Sequence, residues 1–87
     1  MHGKQSREVA RMPNPFPNHR IVQLLKVQYP PKTRVELIEM DDLFAPPAGT
    51  RGTVKGVDDA GQIMVRWDTG SGLSLIPGVD RFKIVNE

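Results

Sequence analysis

From Thr33 onward apolar and polar residues alternate in short runs, and a two-residue period replaces the helical one. In TRVELIEM (33–40), Val35 and Leu37 fall on one side and Arg34 and Glu36 on the other, as in a strand with one buried face. Residues 51–57 repeat this alternation, interrupted by Gly52 and Gly56. Residues 62–67 place Ile63, Val65 and Trp67 on one face and Met64 and Arg66 on the other. Leu73–Ile76 and Phe82–Val85 complete a predicted set of five strands. The punctuation between them is turn chemistry: the long segment DDLFAPPAG (41–49), the hairpin Asp58-Asp59-Ala60-Gly61, the turn Asp68–Gly72, and a single helical turn at Pro77-Gly78-Val79-Asp80. A long first loop, tight hairpins, one short turn and a last strand follow the order of an SH3-like barrel.

The stretch before the strands reads differently. NHRIVQLLKVQY (18–29) has Ile21, Leu24, Leu25 and Gln28 at i, i+3, i+4 and i+7, a partial amphipathic stripe. Asn18 is placed to cap its start, and Pro30-Pro31 closes its end. A helix this short is marginal alone, so Ile21, Leu24 and Leu25 are expected to pack on the strands. Earlier still, Pro13, Pro15 and Pro17 alternate with Asn14 and Phe16, which predicts an extended, mobile arm. The expected organisation is a flexible basic arm over 1–17 and one domain over 18–87, with a helix at about 19–28 and a barrel at about 33–86. The fold class is mainly β: a small five-stranded SH3-like barrel preceded by one short N-terminal α-helix.

Composition narrows the function classes. At 87 residues the chain makes a single thin core, with no room for a cleft between two domains. It has no cysteine, which removes disulfides, thiolate metal sites and thiol nucleophiles and suits a reducing cytoplasm. No apolar run has the length of a membrane span, and the charged start lacks the apolar centre of a secretory signal. The net charge of +2 hides an asymmetry. Residues 1–32 hold six Lys/Arg against one Glu, a net +5, and residues 33–87 hold six against nine acids, a net −3. On charge alone, nucleic acid is expected at the N-terminal third, through Arg7, Arg11, Arg20, Lys26 and Lys32.

Groups able to carry chemistry are sparse. The acidic clusters Asp41-Asp42, Asp58-Asp59 and Asp68 all sit at predicted turns, where aspartate serves the backbone, so no metal site is expected. The glycines form no phosphate-binding loop. His2 and His19 both precede the strands, and Ser6, Ser71 and Ser74 have no histidine partner within the domain. Neither an enzyme nor a cofactor is expected. Arg51, Lys55 and Arg66 read as a solvated, weakly basic strand face. In an SH3-like barrel, Met40 and Phe44 from the first loop, Trp67 from the third strand, and Leu75 and Pro77 near the last turn would line one shallow groove for a protein or peptide. Trp67 shares parity with Ile63 and Val65, which favours a core or half-core position for it over a ligand-facing one.

Longer motifs carry a resemblance. YPPxTRVxLxxMDD (29–42), the loop exit Pro46-Pro47-Ala48-Gly49-Thr50, GTVxGVDDAGQI (52–63), Trp67-Asp68-Thr69-Gly70-Ser71 and LxLIPGVDxF (73–82) resemble the bacterial family catalogued as domain of unknown function 4314, over about residues 20–85. The resemblance implies a compact SH3-like module often carried by phages, plasmids and other mobile genetic elements, with no reaction to transfer. One departure is Thr69, where relatives often have Asn, a residue better suited to a left-handed turn. Two roles follow as expectations. The first is a cytoplasmic protein-binding module, in its sharpest form a mobile-element inhibitor of a host nuclease or defence protein. The second is a nucleic-acid accessory acting through the basic arm. A scaffold without its own ligand is the third reading.

Overall fold

The computed structural model describes residues 18–86. Helix α1 spans His19–Gln28, followed by strands β1 (Arg34–Glu39), β2 (Arg51–Val57), β3 (Ile63–Trp67) and β4 (Arg81–Ile84). The strands form one four-stranded antiparallel sheet in the order β3-β2-β1-β4. Residues 1–17, which contain the predicted arm, lie outside the described residues.

Strand parity follows the hydrophobic alternation. Val35, Leu37, Val54, Val57, Ile63, Val65 and Trp67 are buried on the inner face, where Leu75 joins them. Irregularities in pairing between Leu37 and Glu39, and between Val54 and Gly56, leave Ile38 and Lys55 without cross-strand partners. Bulges of this kind bend a strand and let a short sheet curve over its core. Gly52 pairs with Val35 on one side and Trp67 on the other.

The predicted fourth strand at Leu73–Ile76 is not a strand. Its backbone pairs with β3 only at the bridge between Ile63 and Leu75. The Leu73 and Ile76 backbone groups are engaged by side chains instead. The Leu73 carbonyl accepts from the Trp67 indole Nε1 at 2.8 Å, and the Ile76 amide donates to the Asp80 carboxylate at 2.8 Å. Pro77 has no amide to offer. The expected five-stranded barrel therefore becomes four strands plus a bridged segment. In the 77–80 turn the Val79 and Asp80 amides both donate to the Ile76 carbonyl. The turn after Trp67 is met by Gly70, at φ +97°, so Thr69 itself needs no left-handed conformation.

Helix α1 is capped as expected, with the Arg20 amide donating to Asn18 Oδ1 at 2.8 Å. Of the three residues expected to pack, Leu25 does, and Val22 rather than Ile21 or Leu24 packs beside it. Val22 and Leu25 lie toward the β2–β3 hairpin, near Gly61, and Tyr29 meets Phe82 of β4 with ring centroids 5.6 Å apart. Ile21 and Leu24 face solvent instead. Residues 22, 25 and 29 satisfy the helical spacing as well as 21, 24, 25 and 28 do, and only the second set lacks the aromatic contact. The Lys26–Asp59 pair is 3.5 Å long with Asp59 fully exposed, so apolar contact holds the helix in place.

Asp80 is 5% exposed and supplies the acceptor for the Ile76 amide. Asp80→Ala leaves that buried amide unsatisfied and should cost about 1–3 kcal/mol in urea unfolding, whereas Asp80→Asn, which keeps an acceptor oxygen, should lose less. An alanine variant as stable as the parent would contradict this role.

Candidate functional site

The predicted groove does not assemble. Trp67 is 1% exposed and Leu75 is fully buried, so neither offers surface to a ligand. Met40 is packed at the margin of the core and Pro77 is half-buried. Phe44 is the exception at 76% exposed, beside an even more exposed Leu43. Asp42 holds this tip in a local turn by accepting from the Phe44 amide at 2.8 Å. The indole of Trp67 is large enough to fill the inner face and finds its one acceptor in Leu73, which is why the core reading of this residue prevails.

The other clusters also resolve into turn chemistry. Asp58 Oδ1 accepts from the Ala60 and Gln62 amides at 3.0 and 2.9 Å, closing the β2–β3 hairpin. Gly61 meets the left-handed requirement of that hairpin at φ +79°. Among the described residues, no group of three or more His, Cys, Asp or Glu could hold a metal ion. No helix among them is long and apolar enough to cross a membrane. Of the cations assigned to nucleic acid, Arg20 and Lys32 are exposed and Lys26 is half-buried beside Asp59. Arg7 and Arg11 lie outside the described residues.

The outer face of the sheet is where charge gathers. Every Lys and Arg of residues 33–87 is on a strand: Arg34, Arg51, Lys55, Arg66, Arg81 and Lys83. Each alternates with, or bulges from, the buried positions and so lies on the solvent side. Arg34 makes a bidentate pair with Asp68, at 2.9 Å from Nη1 and 2.7 Å from Nη2, and its Nη1 also donates to Thr53 at 3.0 Å. Glu36 accepts from Arg51 Nε at 3.1 Å and faces Lys83 Nζ at 3.9 Å. Arg81 and Glu39 pair at 3.6 Å. Lys55 and Arg66 enter no ion pair among the described residues. The alternation placed Arg34 on this face, and Arg51, Lys55 and Arg66 were expected to share it, but Arg34 was not joined to them and Arg81 and Lys83 were not assigned. The signal was present in strand parity, obscured by the net negative count of the segment.

A second surface feature is apolar. The solvent side of α1 exposes Ile21, Leu24 and Val27, spaced at i, i+3 and i+6, and Val27 is 77% exposed. The helix contains His19, Arg20 and Lys26 but no acidic residue.

A family model described as "Domain of unknown function (DUF4314)" matches residues 18–85, which is most of the chain, and the protein belongs to that family. No curated protein matches the chain.

The Arg34 hydrogen bonds are the main cause that holds the Asp68 carboxyl below the ordinary value near 3.8; the charges of Arg34 and Arg51 add to this, and partial desolvation opposes it. A carboxyl whose folded value is depressed stabilises the fold above its unfolded value and loses that contribution as pH falls through the folded value. In a carboxyl-detected NMR titration, Asp68 should titrate below 3.8 in the parent and rise toward it in Arg34→Gln. An unchanged Asp68 midpoint in the variant would show that the pair does not form in solution.

Proposed function

We propose that this DUF4314 domain is a non-enzymatic, cytoplasmic protein-binding module that docks the solvent side of α1 into an apolar groove with an acidic rim on a partner protein. The observation that carries this reading is the exposed row Ile21, Leu24 and Val27 on a helix that already packs on the domain through Val22 and Leu25. A soluble helix ordinarily turns polar residues outward, and an apolar stripe left outside is the pattern of helix-in-groove recognition. The absence of acidic residues from α1 selects a partner with acidic edges.

The same reading covers the finer fold class. The order β3-β2-β1-β4, the bridge from Leu75 to β3 and the turn before β4 support an SH3-like arrangement with its fourth strand reduced to one bridge. For a family carried by mobile elements, a host nuclease or another defence protein is the partner of choice, and an inhibitor is the sharpest form of the proposal.

Affinity from the helix row alone is modest. Fully burying one aliphatic side chain contributes about 1.5–3 kcal/mol, so three residues that are already partly covered give roughly 3–4 kcal/mol together. Association costs about 4–15 kcal/mol, so the partner must also engage the rim. A trap suits such a complex better than an equilibrium measurement. With benzoylphenylalanine at position 27 of the full chain, irradiation of expressing cells should give one discrete heteromeric adduct. The same probe at Thr69 should give none. Leu24→Asp should abolish the adduct while shifting the melting temperature little, since Leu24 is already exposed. An adduct of twice the 9.7 kDa chain mass would replace the heterologous partner with a second copy. Equal labelling at both positions, or none, would refute docking through α1 and leave the scaffold reading.

A further inference from the structure

We propose that the outer face of the sheet binds the phosphate backbone of duplex nucleic acid, independently of docking through α1. Charge in the strand region is sorted by position. All six Lys/Arg of residues 33–87 are on the strands, whereas five acids of the same region, Asp41, Asp42, Asp58, Asp59 and Asp80, sit in loops and turns. Three acids, Glu36, Glu39 and Asp68, pair with cations of this face, so its six cations outnumber these partners by three. The net negative count of the segment therefore says nothing about what this face attracts, because potential near a surface follows local charge within about a Debye length of ~8–10 Å.

The arrangement of the cations favours an extended polyanion. Arg66, Thr53 and Arg34 form one row across β3, β2 and β1, and Arg51, Glu36 and Lys83 form another across β2, β1 and β4. Neighbouring strands are about 4.8 Å apart, so the two arginines of the first row rise from backbones roughly 10 Å apart. The ion pairs with Asp68 and Glu36 hold Arg34 and Arg51 in place. Lys55 and Arg66 remain without an acidic partner among the described residues, so they need break no pair to meet a phosphate.

The face lacks what other partners require. Its apolar content is limited to a partly exposed Ile38 and a half-buried Met64, too little for the desolvated centre of a protein interface. It presents no aromatic ring, because Trp67 is buried and Phe82 belongs to the inner face against Tyr29. A single strand would find nothing on which to stack its bases, whereas a duplex offers about one charge per 1.7 Å without stacking. Contact with phosphates alone carries no sequence information, so the binding is sequence-independent.

The test is fluorescence anisotropy of the full chain with a labelled duplex DNA of mixed sequence, a single strand of the same length and a labelled poly-aspartate peptide, each over a range of salt. Three neutralised phosphates predict a log–log salt slope near −2.7 for the duplex and a dissociation constant in the range of about 10⁻⁶ to 10⁻⁴ M at physiological salt. Lys55→Gln/Arg66→Gln should weaken duplex binding at least tenfold and reduce the slope by about two contacts' worth, to near −1. A melting curve like the parent's verifies that this neutral variant is folded. Arg7→Gln/Arg11→Gln, in the N-terminal segment, should leave duplex affinity within about threefold. Absence of duplex binding at low salt, an unchanged Lys55/Arg66 variant, or loss confined to the Arg7/Arg11 variant would overturn the proposal. Tighter binding of the single strand or of poly-aspartate would reassign the face to that ligand.

Discussion

Trp67 lies against a strand that offers it no side chain, and most of the domain is arranged around that contact. A Cβ at Gly52 would stand 2.8 Å from Trp67 Cε3 and 2.6 Å from Val65 Cγ1. No real Cβ tolerates either distance, so only glycine allows β2 and the indole to approach this closely. The indole Nε1 then donates to the Leu73 carbonyl and the Trp67 amide to the Ser71 carbonyl, which folds the 68–73 turn back along β3. That turn delivers Leu75 to its bridge with Ile63 and Ile76 to the Asp80 carboxylate, and the Asp80 turn launches β4 onto β1.

This use of Trp67 decides where function can reside. A chain of this length has one thin core, and its largest side chain is committed to it. Among the surfaces the core does not need are the cationic outer face of the sheet and the solvent side of α1. The two differ in physics. As proposed, the sheet face would act through salt-sensitive attraction and little desolvation, whereas the helix row would act through apolar burial that salt scarcely touches. A module with both surfaces could hold a protein against a nucleic acid, and the separation of the two faces lets each be altered alone.

The sheet was legible from Val35, Leu37, Ile63, Val65 and Trp67, because a two-residue period with aspartate- and glycine-rich turns has few other solutions. The 73–76 segment was not, since its alternation is intact but the Leu73 carbonyl and the Ile76 amide are engaged by the Trp67 and Asp80 side chains, six and four positions away. The register of α1 was ambiguous because two stripes one residue apart both fit the helical period, and only the Tyr29–Phe82 contact separates them. The groove of Met40, Phe44, Trp67, Leu75 and Pro77 rested on barrel geometry, and the burial of Trp67 and Leu75 removed its floor. The cationic face was legible only in part, as Arg51, Lys55 and Arg66, because a net count over residues 33–87 sums loops with strands. Parity on Arg34, Arg51, Arg66, Arg81 and Lys83 was the better guide.

The close approach of Trp67 to Gly52 is tested most directly by thermal unfolding of Gly52→Ala, followed by Trp67 fluorescence, beside Gly72→Ala as a control in open space. Overpacking of a small core costs about 1–3 kcal/mol. In a domain of this size each kcal/mol lowers the midpoint by about 4–8 °C. The account predicts a fall of at least about 4 °C for Gly52→Ala, with emission shifted toward that of an exposed indole, and little change for Gly72→Ala. A Gly52→Ala protein that melts with the parent and keeps a buried-indole spectrum would contradict it.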